Sequence, residues 1–402
     1  MSGKVVFLYA TFPRPTETFV RRELGGLSEL GFNPDAHSIW KGETEWNGKK
    51  INLFRLSKLW ALFFWIPFWA FRKPHAFVEV LGALWSRSCP NMQNWNETFL
   101  GLGFALVEAR SFEKRRIALI HSVWATMPAT AALAISKLTG IPFSMGAHAY
   151  DVFRHGGDWL LPLKFKEASF VRTSSKSSAG RIKAMGVPEK KIKLIRRGLS
   201  RWPTRESFDS IDPSRLELLS VGRLVEKKGY FHQLHLAARL KEEGISFRLN
   251  IIGSGPLKSR LKKESARMGL DNNVFFQGSK NECQTGEAFL QCDAFLFTGI
   301  IARNGDRDGI PNVIPEALAA GCLVLASDNA GASEAFVDGA SGFSLSPGNY
   351  DDWIALLKEY VENPQRFSSI RKAGVKRAKE SFDVMGTVQS LRAEIEKVIQ
   401  NQ

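Results

Sequence analysis

Residues 216–243 read LELLSVGRLVEKKGYFHQLHLAARLKEE. Leu216–Val221 is a short apolar run of buried-strand length, a basic turn bounded by Gly222 and Gly229 follows it, and Tyr230–Glu243 reads as a helix. The same unit recurs downstream. Strands are expected at Phe247–Ile252, Val274–Gln277, Ala294–Phe297 and Leu323–Ala326, with helices at Leu257–Met268, Cys283–Leu290 and Pro311–Ala320. Two more helices, Tyr350–Val361 and Pro364–Ser381, precede a last one at Val384–Gln400. Strand–helix alternation of this kind calls for a parallel sheet covered by helices on both faces.

The pattern also runs upstream. Lys4–Ala10, Ile117–Ile120, Pro142–Met145 and Phe170–Arg172 read as strands, and Glu17–Leu30 and Ala129–Leu138 as helices. Residues from about 47 to 96 fit the alternation poorly and read as a specialised insertion. Ser200–Ser214 holds two prolines and no periodicity, which suits an interdomain linker. The expected architecture is α/β, with two Rossmann-like doubly wound domains facing each other across a cleft. The first spans 1–203, the second spans 204–382, and a helix over 383–402 can return to the first.

The chain has 402 residues, 44% of them apolar, enough for two cores; wholesale disorder is excluded. Four cysteines without a C-x-x-C pair exclude a disulfide scaffold and a zinc ribbon and fit a reducing compartment. A strand-like run starting at Lys4 leaves no room for a cleavable leader, so a cytoplasmic protein is expected. The net charge of +15 lies wholly in the first half: residues 1–200 hold 29 Lys+Arg against 14 Asp+Glu, and residues 201–402 hold 26 of each. A basic half suits anionic partners. No zinc finger, RNP-type motif or arginine-rich tail accompanies it, so no nucleic-acid partner is expected.

Leu59–Phe71, LWALFFWIPFWAF, carries no charge between Arg55 and Lys58 on one side and Arg72 and Lys73 on the other. Thirteen helical residues span about 20 Å, short of the roughly 30 Å hydrocarbon core, and Pro67 is expected to kink or end the helix. The run cannot cross a bilayer. Two readings stay open. Trp60, Phe64, Trp65 and Trp69, with Arg72 and Lys73, can lie in an anionic membrane surface, or the run can be a buried core helix.

Arg223 and Lys228, between glycines at the mouth of a strand, can clamp a diphosphate. Gly253-Ser254-Gly255 ends the next strand and lets backbone approach a ligand. Asn304–Ala317 is a polar, Gly-rich loop opening into a helix, with Pro311 suited to its first turn and Asp308 and Glu316 as acceptors for sugar hydroxyls. No G-x-G-x-x-G follows a first strand, which argues against a nicotinamide-dependent dehydrogenase.

Taken together these segments resemble the retaining glycosyltransferases of family 4, with the GT-B fold. Asp308-x7-Glu316 followed by Ala317-Leu318-Ala319-Ala320-Gly321 resembles that family's E-x7-E region, and Gly222-Arg223…Lys228-Gly229 its diphosphate clamp. Gly331-Ala332-Ser333-Glu334 resembles its G-G-x-x-E segment, and Gly146-Ala147-His148-Ala149-Tyr150-Asp151 its His-containing loop. Arg307-Asp308 with Asn312-Val313, and Pro15-Thr16-Glu17-Thr18-Phe19, are similar to the branch that builds exopolysaccharides such as colanic acid. Asp308 stands where the family usually has Glu, Thr11-Phe12-Pro13 replaces its double glycine, and Val123 lies two residues beyond His121 where relatives often carry a second histidine.

The resemblance implies a retaining, metal-independent transfer from a UDP- or GDP-linked sugar to a lipid-linked saccharide, without a further cofactor, at the inner face of the cell membrane. It assigns Arg223 and Lys228 to the departing diphosphate, Glu316 to the ribose, Asp308 to the transferred sugar and His148 to a contact near the reaction centre. Gly222, Gly253, Gly255, Gly278, Gly309, Ile310, Pro311, Asn312 and Val313 complete the expected donor site. A sugar-nucleotide epimerase of similar two-domain build is the alternative.

Overall fold

The computed structural model describes residues 3–14, 16–205, 207–208, 214–329 and 331–402. Pro15 and part of the expected linker, residues 206 and 209–213, lie outside the described residues. The chain divides into two compact units, residues 1–196 with 385–402, and residues 197–384.

The first unit holds an eight-stranded sheet. Its strands are β1 (Lys4–Phe12), β2 (Asp35–Gly42), β3 (Glu45–Trp46), β4 (Lys49–Leu53), β5 (Ile117–Ser122), β6 (Phe143–Gly146), β7 (Val171–Thr173) and β8 (Ile192–Leu194). They lie in the order β3-β4-β2-β1-β5-β6-β7-β8, all parallel except the β3–β4 hairpin. The sequence hides β2 because its interior is partly polar: His37 and Ser38 are buried, and Ser38 Oγ accepts the Phe12 N–H at 2.9 Å. The segment that resisted alternation contributes one strand, β4, before it turns helical.

The second unit holds β9 (Leu216–Val221), β10 (Phe247–Ile252), β11 (Val274–Gly278), β12 (Ala294–Phe297), β13 (Leu323–Ser327) and β14 (Phe343–Leu345), all parallel, in the order β11-β10-β9-β12-β13-β14. Five of these six strands were visible as apolar runs. β14 is three half-buried residues and gives no such signal. The order reverses between β9 and β12, which makes the carboxyl ends of those two strands the crevice where a doubly wound sheet takes its ligand. Arg205 ties the described end of the linker to this unit by donating to the carbonyls of Ala320, Phe289 and Cys292 at 2.8–3.0 Å.

The Trp-rich run forms a short turn of 3-10 helix, Leu56–Ala61, and a helix, Leu62–Arg72, that continues through Pro67 instead of ending there. A second helix, Pro74–Trp85, follows it. The run has one face in the core and one face exposed. Trp69 is fully buried in the core of the first unit and its Nε1 donates to the Leu106 carbonyl at 2.9 Å; Trp65 is half-buried against the same core. Neither is a surface residue as expected, because positions 65 and 69 share the face turned to the helix Met92–Lys114. Trp60 and Phe64 are exposed, joined by Phe63 and Phe71 from the same outer face. Arg72 is held by both carboxylate oxygens of Glu113, at 2.8 and 3.2 Å, while Lys73 remains exposed.

Candidate active site

The site of the second unit is built on strand ends. Gly222 follows β9, and its N–H donates to the Ile252 carbonyl at 2.9 Å; Gly253 follows β10 and donates to the Gly278 carbonyl at 2.7 Å. Gly255 lies against Leu224. Three neighbouring strands therefore finish in one glycine-lined shelf. At Gly253 the backbone has φ +144°, and a Cβ there would stand 1.9 Å from the Gly222 carbonyl oxygen. Gly229, at φ +66°, is bound more tightly still: a Cβ would stand 1.7 Å from the Thr298 carbonyl oxygen at the end of β12. Only glycine lets the turn after β9 close onto the loop after β12.

That closure brings the basic turn and the acidic loop together. Residues 226–228 form a single turn of 3-10 helix. The Lys227 carbonyl accepts the Ile300 N–H at 2.9 Å, and Glu226 Oε1 accepts the Arg303 N–H at 3.2 Å. Lys228 Nζ lies 2.7 Å from Asp308 Oδ2 and 5.0 Å from the centre of the Phe297 ring. Lys227 Nζ reaches Asp308 Oδ1 at 3.3 Å and Asp306 Oδ1 at 3.0 Å. Tyr230 Oη donates to the Gly222 carbonyl at 2.9 Å and braces the first glycine. Burial alone pushes the Asp308 carboxyl up, but Lys228 and Lys227 outweigh it and hold that carboxyl down at about 2. For Lys228 burial wins and lowers its affinity for a proton against the pull of Asp308; Lys227, facing two carboxylates, moves the other way.

The structure thus joins Asp308 to Lys228, a contact that spacing cannot reveal, and adds Lys227 and Asp306. Arg223 stays exposed. The expected helix start is corrected: the helix spans Val313–Ala319 with Asn312 as N-cap, so Pro311 precedes it instead of filling its first turn. Gly309, Ile310, Pro311 and Asn312 are loop residues leading into it, and Glu316 lies half-buried in its first turn. Gly331 packs onto the backbone of Gly309, which sets the segment with Glu334 beside this loop.

In the first unit, His148 follows β6. Its N–H donates to Asp151 at 3.1 Å to Oδ1 and 3.2 Å to Oδ2; the same carboxylate accepts the Ala149 N–H at 2.8 Å and the Ala125 N–H at 3.3 Å. The His148 ring is buried and meets Trp124 edge to face, with centroids 5.6 Å apart. In the sequence Asp151 is legible only as the last residue of the His-containing loop, with no role of its own. Burial raises its carboxyl above the usual range against those backbone hydrogen bonds.

Residues 204–379 match the family model of glycosyl transferases group 1. Over 99% of both chains the sequence is 26% identical to the putative colanic acid biosynthesis glycosyltransferase WcaL of Escherichia coli. It is 30% identical to the amylovoran biosynthesis glycosyltransferase AmsK of Erwinia amylovora over 52% of this chain and 53% of that one. Among solved structures, Anabaena HepE in complex with UDP and glucose superposes with a TM-score of 0.70 at 16% identity, covering 98% of this chain and 100% of that one. A sucrose-phosphate synthase from Thermosynechococcus elongatus superposes with a TM-score of 0.74 at 13% identity, over 99% and 100%. The fold is GT-B. The epimerase alternative is not favoured, since the family model and the full-length relative are glycosyltransferases.

Proposed function

We propose that the chain is a group 1 glycosyltransferase of the exopolysaccharide kind, which the match over residues 204–379 and the similarity to WcaL and AmsK support, and that it transfers a sugar with retention from a UDP- or GDP-linked donor to a lipid-linked saccharide. The observation that carries this reading is the meeting of Lys228 with Asp308 at the reversal point of the second sheet, with Arg223 exposed on the same basic turn and its charge felt at Lys228. Retention without a protein nucleophile has the acceptor hydroxyl attack on the face the diphosphate leaves. The bond from the anomeric carbon to the diphosphate oxygen breaks, the new glycosidic bond forms, and the hydroxyl proton passes to the leaving oxygen. Charge then develops on the diphosphate, where Arg223 and Lys228 act as fixed cations; side-chain cations make a metal unnecessary. The glycine shelf admits the nucleotide backbone-close. Glu316 takes the ribose and Asp308 the sugar hydroxyls; in the first unit, Asp151 seats the backbone of His148.

The acceptor side is supported by the outer face of the Trp-rich helices. Trp60 is 88% exposed, Phe63 94%, Phe71 93% and Trp85 86%, and Val78 and Leu81 lie open beside them. Exposure of so many large apolar side chains supports a docking surface, and flanking Arg55 and Lys73 favour anionic lipid. No described helix is long and apolar enough to cross a membrane, so the proposed association is peripheral, on the cytoplasmic leaflet. Incubation with a panel of sugar nucleotides, an extract of lipid-linked acceptors and chelator, followed by measurement of released nucleoside diphosphate, tests the reading. Release from no donor, or only with added metal, would falsify it.

A further inference from the structure

Asp306, Lys227, Asp308 and Lys228 form a chain of alternating charge with links of 3.0, 3.3 and 2.7 Å. The chain is largely withdrawn from water: the side chains of Lys227, Lys228 and Asp308 expose 5%, 13% and 17%. Its two cations differ. Lys227 is held from both sides, whereas among the described residues Lys228 meets one carboxylate, Asp308, and rests on the Phe297 ring. A diphosphate entering beside this chain can therefore draw off Lys228 but not Lys227. Doing so strips Asp308 Oδ2 of its cation, and that enclosed oxygen has no well-angled hydrogen bond of its own to fall back on. An enclosed carboxylate oxygen left without a partner is costly, and a sugar hydroxyl is a donor that can replace the lost one.

We propose that the Lys228–Asp308 ion pair is an exchange latch. The diphosphate of the donor takes Lys228 while a hydroxyl of its sugar takes Oδ2 of Asp308, and Lys227, pinned by Asp306, is the positioning residue that keeps Asp308 in place through the exchange. The latch distinguishes donor from product. A sugar nucleotide supplies both replacements, whereas the nucleoside diphosphate left after transfer supplies only one. Asp308 then recaptures Lys228 and the product is released. This rests on the donor-site reading given above.

Calorimetric titration of the full chain with UDP, GDP and UDP-glucose tests it. Asp308→Asn removes the competitor for Lys228, so free UDP or GDP should bind about tenfold tighter, the worth of one charge-assisted hydrogen bond, while UDP-glucose gains less. Lys227→Met leaves Asp308 relying on Lys228 alone and should weaken free diphosphate binding several-fold, with Lys227→Arg restoring it. A folded Asp308→Asn variant whose diphosphate affinity is unchanged or lower overturns the latch; if that variant does not fold, unchanged affinity in Lys227→Met does so. A wild-type protein that binds neither UDP nor GDP overturns the donor-site reading and the latch with it. Wild-type binding that no substitution alters overturns the latch alone.

Discussion

Arg223 and Lys228 play the same part on paper and stand in different surroundings, so their substitutions should separate. Arg223 is exposed and packs little; Arg223→Ala should lower turnover by about 10²-fold, the cost of one preorganised charge stabiliser, with the melting temperature unchanged. Lys228→Ala should lower turnover at least as much and also shift the melting temperature, since it leaves half of a buried ion pair behind. Nucleoside diphosphate release and thermal melts on the same preparations decide the point, and a Lys228 variant with full turnover sinks the diphosphate assignment. Asp308 should not set the acidic limb of activity. Its carboxyl titrates at about 2 in the folded protein, below the ordinary range near 3.9, so its charge and the stability it lends are complete above about pH 4 and fade only as the pH falls toward 2. The sequence made Gly222–Gly229 and Asp308 legible because turn glycines and an acidic loop stand out by residue type. It could not tell Lys227 from Lys228, since two adjacent lysines differ only in which way a single turn of helix points them.

The helix Leu62–Arg72 is apolar all round, so composition could not say which side it buries; the spacing of Trp65 and Trp69 against Trp60, Phe63, Phe64 and Phe71 does. The two faces should answer differently to mutation. Serine at Trp60, Phe63 and Phe71 together should abolish co-sedimentation with anionic vesicles while leaving melting and nucleotide affinity as they are. Trp69→Ala should destabilise the first unit by about 3–5 kcal/mol, as large aromatic truncations in a core do, without a specific effect on vesicle binding in whatever fraction stays folded. High salt should weaken the wild-type interaction in part only, because screening removes the contribution of Arg55 and Lys73 but not that of the rings. If the triple variant still sediments with vesicles, this face is not the docking surface.

At the scale of the whole molecule, alternation of strand and helix was enough to read two doubly wound units, because fully buried parallel strands must be apolar runs and connecting helices must follow them. What escaped were the short or polar strands, β2 with its buried His37 and Ser38 above all. Burial, with smaller pushes from Arg115 and Lys58 for His37 and from Arg172 for His121, lowers both histidines to about 3. Their folded values lie below the ordinary 6.5, so the stability tied to keeping them neutral is complete above about pH 6.5 and drains as the pH falls toward 3. Each should give a slope of about 1.4 kcal/mol per pH unit within that window. Both lie in the first unit, as do nine of the eleven tryptophans. Denaturation followed by tryptophan fluorescence should therefore weaken between pH 6.5 and 4, and His121→Gln should flatten the slope by one proton. An unaltered slope would show that His121 protonates without opening the fold.

The division of the chain also bears on how the protein is made. Residues 385–402 belong with residues 1–196, while 197–384 form a unit of their own. On the ribosome the intervening unit has its whole sequence before the unit that began to emerge first has its closing helix. The first part to be synthesised is thus the last to be finished, and a nascent chain arrested short of residue 385 would carry one complete domain behind an incomplete one.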